Sequence, residues 1–140
     1  MIGYLLDSSG LWRILRDEKV KDAWSEVITA GAIGSCHPQR LEFKRSARSA
    51  DEHDEMSEMF EALYPDVPVP KTAWRWSDSA QHRLTRHGAH RALSTVDLLM
   101  CATAAHDDLI VLHDDNDFVT AARYLPDLRE RQIHDLPQTL

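Results

Sequence analysis

The feature that most constrains how this chain can fold is its alternation of short apolar runs with longer stretches of helical periodicity. "IGYLL" at 2–6, "AIGSC" at 32–36 and "LIVLH" at 109–113 are short, apolar and bounded by polar or turn-forming residues, so each predicts a strand. Between them apolar residues recur at three- and four-residue spacing. Val20, Ala23, Trp24, Val27 and Ile28 trace one helical face, and Gly31 stops it. Met56, Met59, Phe60 and Leu63 mark a second stripe, ended at Tyr64-Pro65, and Ala73, Trp76, Ala80 and Leu84 mark a third. Further helices are expected from Ser9 to Arg16, from Pro38 through Leu41 and Phe43, from Ser94 onward, and near Phe118 to Tyr124. "PDVPVP" reads as an extended connector, since each residue before a proline is driven out of the helical region. "RQIHDL" is a candidate late strand. Helices alternating with buried strands predict the α/β class with a central parallel sheet.

At 140 residues the chain suits one domain, 1–140, with one hydrophobic core. Hydrophobic residues at 43% and charged residues at 28% fit a folded globular chain rather than a disordered one. The uncharged run "LLMCATAA" is too short to span a bilayer, and "MIGYLLDSSG" lacks the basic region of a signal peptide. Cys36 and Cys101 are far apart in apolar surroundings, which offers neither a disulfide framework nor a zinc knuckle. The expected location is the cytoplasm, with no membrane partner.

A net charge of −7 argues against a surface that binds nucleic acid everywhere. The charge is uneven, however. Lys71, Arg75, Arg83, Arg86 and Arg91 face only Asp78 between Lys71 and Leu93, with His82, His87 and His90 among them. Lys44, Arg45 and Arg48 form a second basic group. Such stretches suit either a phosphate backbone or a solvated helix face.

The acids select themselves by position. Ligands of parallel sheets bind beyond the carboxyl ends of the strands. Asp7 directly follows the first strand, Glu42 lies one turn inside the helix after the second, and Asp114, Asp115 and Asp117 follow the third. Asp97 lies in the first turn of the helix that feeds the third strand. Each has an ordinary alternative: Asp7 and Asp117 as helix caps, Ser94-x-x-Asp97 as a capping box, Glu42 on a solvated face, Asp114 in a turn. Capping does not require convergence at one sheet edge, and carboxylates that do converge need a cation to stay ionised together. Hard oxygen ligands suit Mg²⁺ or Mn²⁺, and the matching reaction class is metal-assisted phosphodiester hydrolysis.

Other chemistries lack their motifs. "DNDF" has no calcium-loop glycine or terminal glutamate, and neither a P-loop nor a G-x-G-x-x-G occurs. "LLDSSG" has no second Asp two residues after Asp7, against an aspartyl-phosphate enzyme. Ser8 and Ser9 lack a nucleophile-elbow setting, and the eight histidines show no zinc spacing.

"YLLDSSGLWRIL", "CHPQRLEFKRSAR", "HRALSTVDLLMCATAAHDDLIVLHDDNDF" and "RQIHDLPQTL" resemble the PIN-domain ribonucleases, in particular the VapC toxins of bacterial VapBC toxin–antitoxin pairs. The similarity runs along the chain in order and is weakest over 51–92. It implies a PIN-like three-layer fold, with a parallel sheet of about five strands and helices on both faces, as in other layered α/β domains. It also implies that Asp7, Glu42, Asp97 and Asp115 are the catalytic and metal-holding acids, using Mg²⁺ or Mn²⁺. Ser9 and Asp117 match secondary positions, and Asp114 falls outside the ligand set. His113 departs from the pattern, since many relatives carry Thr or Ser there. An imidazole at this position suits a carboxylate partner, a phosphate contact or a structural role.

The resemblance further implies a homodimeric endoribonuclease toxin that cuts structured RNA such as transfer or ribosomal RNA and is silenced by a VapB-like antitoxin. Lys44, Arg45 and Arg86 are candidate guides for the RNA backbone. The alternatives are a PIN-fold RNA-processing nuclease outside a toxin pair and a non-catalytic PIN-fold binding module. The face carrying Met56, Met59 and Phe60 is expected in the core, in preference to a dimer or antitoxin contact.

Overall fold

The computed structural model describes residues 1–137. In chain order the elements are β1 (Tyr4–Leu6), α1 (Ser8–Arg16), α2 (Glu18–Thr29), β2 (Ile33–Gly34), α3 (His37–Lys44), α4 (Ala50–Leu63), α5 (Ala73–Thr85), α6 (Thr95–His106), β3 (Ile110–His113), α7 (Asn116–Ala122) and β4 (Arg129–Gln132). The strands form one parallel sheet in the order β2-β1-β3-β4. Helices cover both faces, because alternate strand residues enter two separate cores. Leu5 and Val111 pack with Leu84 of α5, Met100 and Cys101 of α6, and Phe118 of α7. Leu6 and Leu112 pack on the other side with Leu11 and Ile14 of α1, Trp24 of α2, Phe43 of α3 and Phe60 of α4. Phe60 is fully buried and Met56 and Met59 pack partly buried against the second core, as the stripe predicts.

The described residues contain four strands, against the five implied by the resemblance. The connector "PDVPVP" shows why the β2 edge is not extended. It runs beside β2, where Ser35 N–H donates to Pro65 O and Val67 N–H donates to Ser35 O, which yields a single bridge, Ser35 with Asp66. Pro68 and Pro70 have no N–H with which to continue the ladder. At the other edge, β4 starts before the expected "RQIHDL" and takes in the polar "RERQ".

Several helix starts follow side-chain caps. Asp17 accepts from Lys19 and Val20 N–H at the head of α2, and Ser49 accepts from Glu52 N–H at the head of α4. The Ser49 cap, with Asp51 and Glu52 in the first turn, starts α4 well before its apolar stripe. Gly31, at φ 71°, takes the left-handed conformation that ends α2. Gly10 meets a different demand: a Cβ there would lie 2.9 Å from Leu112 O, so only glycine lets α1 settle across the end of β3.

Candidate metal centre

The sheet's carboxyl edge gathers acids from three elements. Asp7 leaves the end of β1, Glu42 comes from α3, and Asp97 sits in the first turn of α6. One oxygen of each lies within 4.8 Å of the other two. Asp7 is buried and the other two are half-buried.

Each acid is aimed by a serine. Asp7 Oδ2 accepts from Ser9 N–H at 3.0 Å and from Ser9 Oγ at 2.5 Å, which makes it the N-cap of α1. Asp97 Oδ2 accepts from Ser94 N–H at 3.0 Å, and Asp97 N–H donates back to Ser94 Oγ at 3.2 Å, completing the capping box. In both cases the hydrogen bonds fall on Oδ2. The capping and clustering readings of these residues are therefore true together. Glu42 is aimed through a relay in which Gln39 Nε2 donates to Ser8 Oγ at 3.1 Å and Ser8 Oγ donates to Glu42 Oε1 at 3.3 Å.

Electrostatics give the trio its character. Burial pushes the Asp7 carboxyl up to about 6, opposed by its Ser9 hydrogen bonds and assisted by Asp97 and Glu42. Burial also raises Glu42, reinforced by Asp97. Asp97 is raised first by burial and further by the charges of Asp115 and Asp117. Each carboxyl thus holds its proton more tightly than an exposed one, and a cation would relieve all three.

The crowded aspartates after β3 have three separate fates. Asp114 is neutralised by Arg13, whose Nε lies 3.0 Å from Oδ2, while His134 Nε2 lies 3.1 Å from Oδ1. Asp115 is the N-cap of α7, its Oδ1 accepting from Asp117 N–H at 2.9 Å. It stands outside the trio but close enough to raise Asp97. Asp117 lies in the first turn of α7, so it is Asp115 rather than Asp117 that caps this helix. Ser9 links two of the acidic segments, since Asp114 N–H donates to its Oγ at 2.9 Å. His113 is fully buried and contacts Glu130 and the Asp115 backbone.

Gln39 and Arg13 carry no motif in the sequence, and Ser8 enters it only as a rejected nucleophile. Gln39 and Glu42 are one helical turn apart, so their shared face was readable. No local pattern announces the reach from Ser8 to Glu42 or from Arg13 to Asp114. Of the expected RNA guides, Arg45 is exposed beside Glu42 in a cleft with Leu41 and Val96, Lys44 bonds Ser57, and Arg86 is exposed at the end of α5.

A family profile described as PIN domain matches residues 4–124. Ribonuclease VapC6 of Mycobacterium tuberculosis is 66% identical over 102 residues, covering 73% of this chain and 80% of the relative. Ribonuclease VapC21 of the same species is 32% identical over 115 residues, covering 82% of this chain and 83% of the relative. Among solved structures, DNA-bound VapBC from Salmonella typhimurium superposes with a TM-score of 0.73 at 14% identity, covering 95% of this chain and 99% of that one. VapBC-5 of Mycobacterium tuberculosis, described as a toxin–antitoxin system, superposes at 0.62 with 19% identity, covering 94% and 99%.

Proposed function

The chain belongs to the PIN-domain family, and from that premise we propose that it is a metal-dependent endoribonuclease, the toxin of a toxin–antitoxin pair, acting as one domain in the cytoplasm. The observation that carries this reading is the trio Asp7, Glu42 and Asp97, three carboxylates from separate elements with ligand atoms within 4.8 Å at the carboxyl edge of the sheet. Its relatives' names supply the substrate class, since VapC6 and VapC21 are ribonucleases.

The donor set fits a hard divalent cation. All three candidate ligands are carboxylate oxygens, and all three carboxyls are raised by burial. Asp7, Glu42 and Asp97 would hold Mg²⁺ or Mn²⁺, with Asp115 joining from the α7 side. Such an ion supplies an activated water and neutralises charge on the phosphodiester.

The chain's own residues prepare that chemistry. Ser9, Ser8 and Ser94 fix the orientations of Asp7, Glu42 and Asp97, so the ligands do not have to be ordered by the ion. Arg13 and His134 engage Asp114 and keep it from competing for the cation. Arg45, exposed beside Glu42, is placed to meet a phosphate of the RNA strand. A VapB-like antitoxin is the proposed partner, after the VapBC complexes that share the fold, and a homodimer is the proposed assembly.

Cleavage of total cellular RNA by the purified chain tests the proposal, run with Mg²⁺, with EDTA, and with Asp7→Asn in Mg²⁺. Discrete fragments only for the wild type with metal are expected. Cleavage that survives both EDTA and Asp7→Asn would remove the trio from the mechanism.

A further inference from the structure

The strand β4 is written "RERQ", with no apolar residue, although it pairs with the buried strand β3. Its side chains are spent on hydrogen bonds instead. Glu130 pairs in register with Val111, and Gln132 with His113, which places Glu130 diagonally beside His113 on one face. His113 Nε2 lies 2.9 Å from Glu130 Oε1, and its Nδ1 lies 3.1 Å from the backbone nitrogen of Asp115. The ring is fully buried and packs against Phe118, with ring centroids 5.0 Å apart. Two residues further along β4, Gln132 Nε2 donates to Asn116 Oδ1 at 3.0 Å.

A backbone N–H only donates, so Nδ1 must present its lone pair to Asp115 and Nε2 must carry the proton that goes to Glu130. The imidazole therefore has one orientation and one tautomer, fixed between Glu130 of β4 and the Asp115 N–H. Its effect falls on the single residue where the chain leaves β3, stays extended at φ −144° and ψ 118°, and turns into α7. The Asp115 carboxylate is held from within the same turn by Asp117 N–H.

We infer that His113 is a positioning residue for the metal centre, held by Glu130 and fixing the Asp115 backbone so that its carboxylate faces Asp97. The inference rests on the reading of Asp115 as a cation ligand. β4 thereby acts as a brace, reaching the acidic turn through His113 and again through Gln132 and Asn116.

The test is Mn²⁺ affinity, measured by electron paramagnetic resonance on His113→Gln and His113→Asn. Asparagine puts an acceptor oxygen where Nδ1 stood, whereas glutamine puts its polar atoms where Nε2 stood and leaves Asp115 N–H without an acceptor. His113→Gln should bind Mn²⁺ about tenfold more weakly than the wild type, and His113→Asn should recover most of that loss. A role confined to filling the core predicts the reverse, since glutamine is closer to histidine in volume. Wild-type affinity in His113→Gln, or equal losses in both variants, would overturn the inference. If His113→Gln does not fold, Glu130→Ala keeps the core filled while freeing the ring; reduced Mn²⁺ affinity supports the brace, and unchanged affinity overturns it. A wild type that binds Mn²⁺ but cuts no RNA would overturn the nuclease reading alone, because the order of the variants still decides the place of His113.

Discussion

Asp7 is buried beside two other carboxyls and also caps a helix, so the crowding favours its protonated form while the cap favours its ionised form. Its pKa of about 6 lies above the value of 3.8 for a free aspartate, so the folded chain binds this proton more tightly than the unfolded chain does. The Asp7 contribution to stability is thus fully present below about pH 4 and is lost as pH rises through about 6. Glu42 and Asp97 shift in the same direction and add to the trend. Denaturant titrations of the metal-free chain should show stability falling across that window. At pH 7 Asp7→Asn should be the more stable protein without metal, by on the order of 1–3 kcal/mol, and it should at the same time lose RNA cleavage. A metal-free Asp7→Asn that is less stable than the wild type at pH 7 would mean that capping outweighs repulsion. Ser8 offers a milder probe at this scale. Ser8→Ala removes the donor to Glu42, and Mn²⁺ binding should weaken about tenfold with little change in fold.

At the scale of elements, the site depends on how closely α1 and α6 approach the sheet edge. Gly10 sets the first approach, with Leu112 O where its Cβ would be. Gly10→Ala should therefore cost about 1–3 kcal/mol by urea denaturation, since α1 must lift from β3. That change would also separate Ser9 from Asp114 N–H, so metal affinity should fall with stability. The α6 approach is set by the capping box. Ser94→Ala should cost about 1 kcal/mol through the lost cap and should weaken Mn²⁺ binding, because the first turn of α6 that carries Asp97 loses the hydroxyl to which Asp97 N–H donates. A Ser94→Ala protein with lowered stability and intact Mn²⁺ affinity would confine Ser94 to the helix end.

Across the whole molecule, a bound cation would tie together β1, α3 and α6, segments that have no local reason to stay in contact. Metal that binds only the folded chain raises unfolding free energy by about 2.7 kcal/mol at a hundredfold excess over its Kd. Thermal melts should accordingly rise with Mg²⁺ at pH 7, rise less at pH 5 where protons compete for Asp7, and stay flat in Asp7→Asn. A magnesium-dependent rise of equal size in Asp7→Asn would place the binding elsewhere.

The sequence by itself determined the alternation of strands and helices, the caps at Asp7 and Ser94, and the positions of the acids at strand and helix ends. These are local properties, set by side-chain periodicity and by hydrogen bonds spanning two or three residues. It did not determine that β4 would be polar, because "RERQ" is held by partners at Asp108, His113, Asn116 and Tyr4 rather than by burial of its own. Nor did it determine that a proline-rich connector would add one bridge beside β2 in place of a further strand. The tertiary structure alone decided that Asp7, Glu42 and Asp97 meet, that Arg13 and His134 claim Asp114, and that Ser8 reaches Glu42 from 34 positions away. Capping is satisfied by each acid in isolation, whereas convergence depends on how the two cores seat α1, α3 and α6 around one sheet edge, and that is long-range packing.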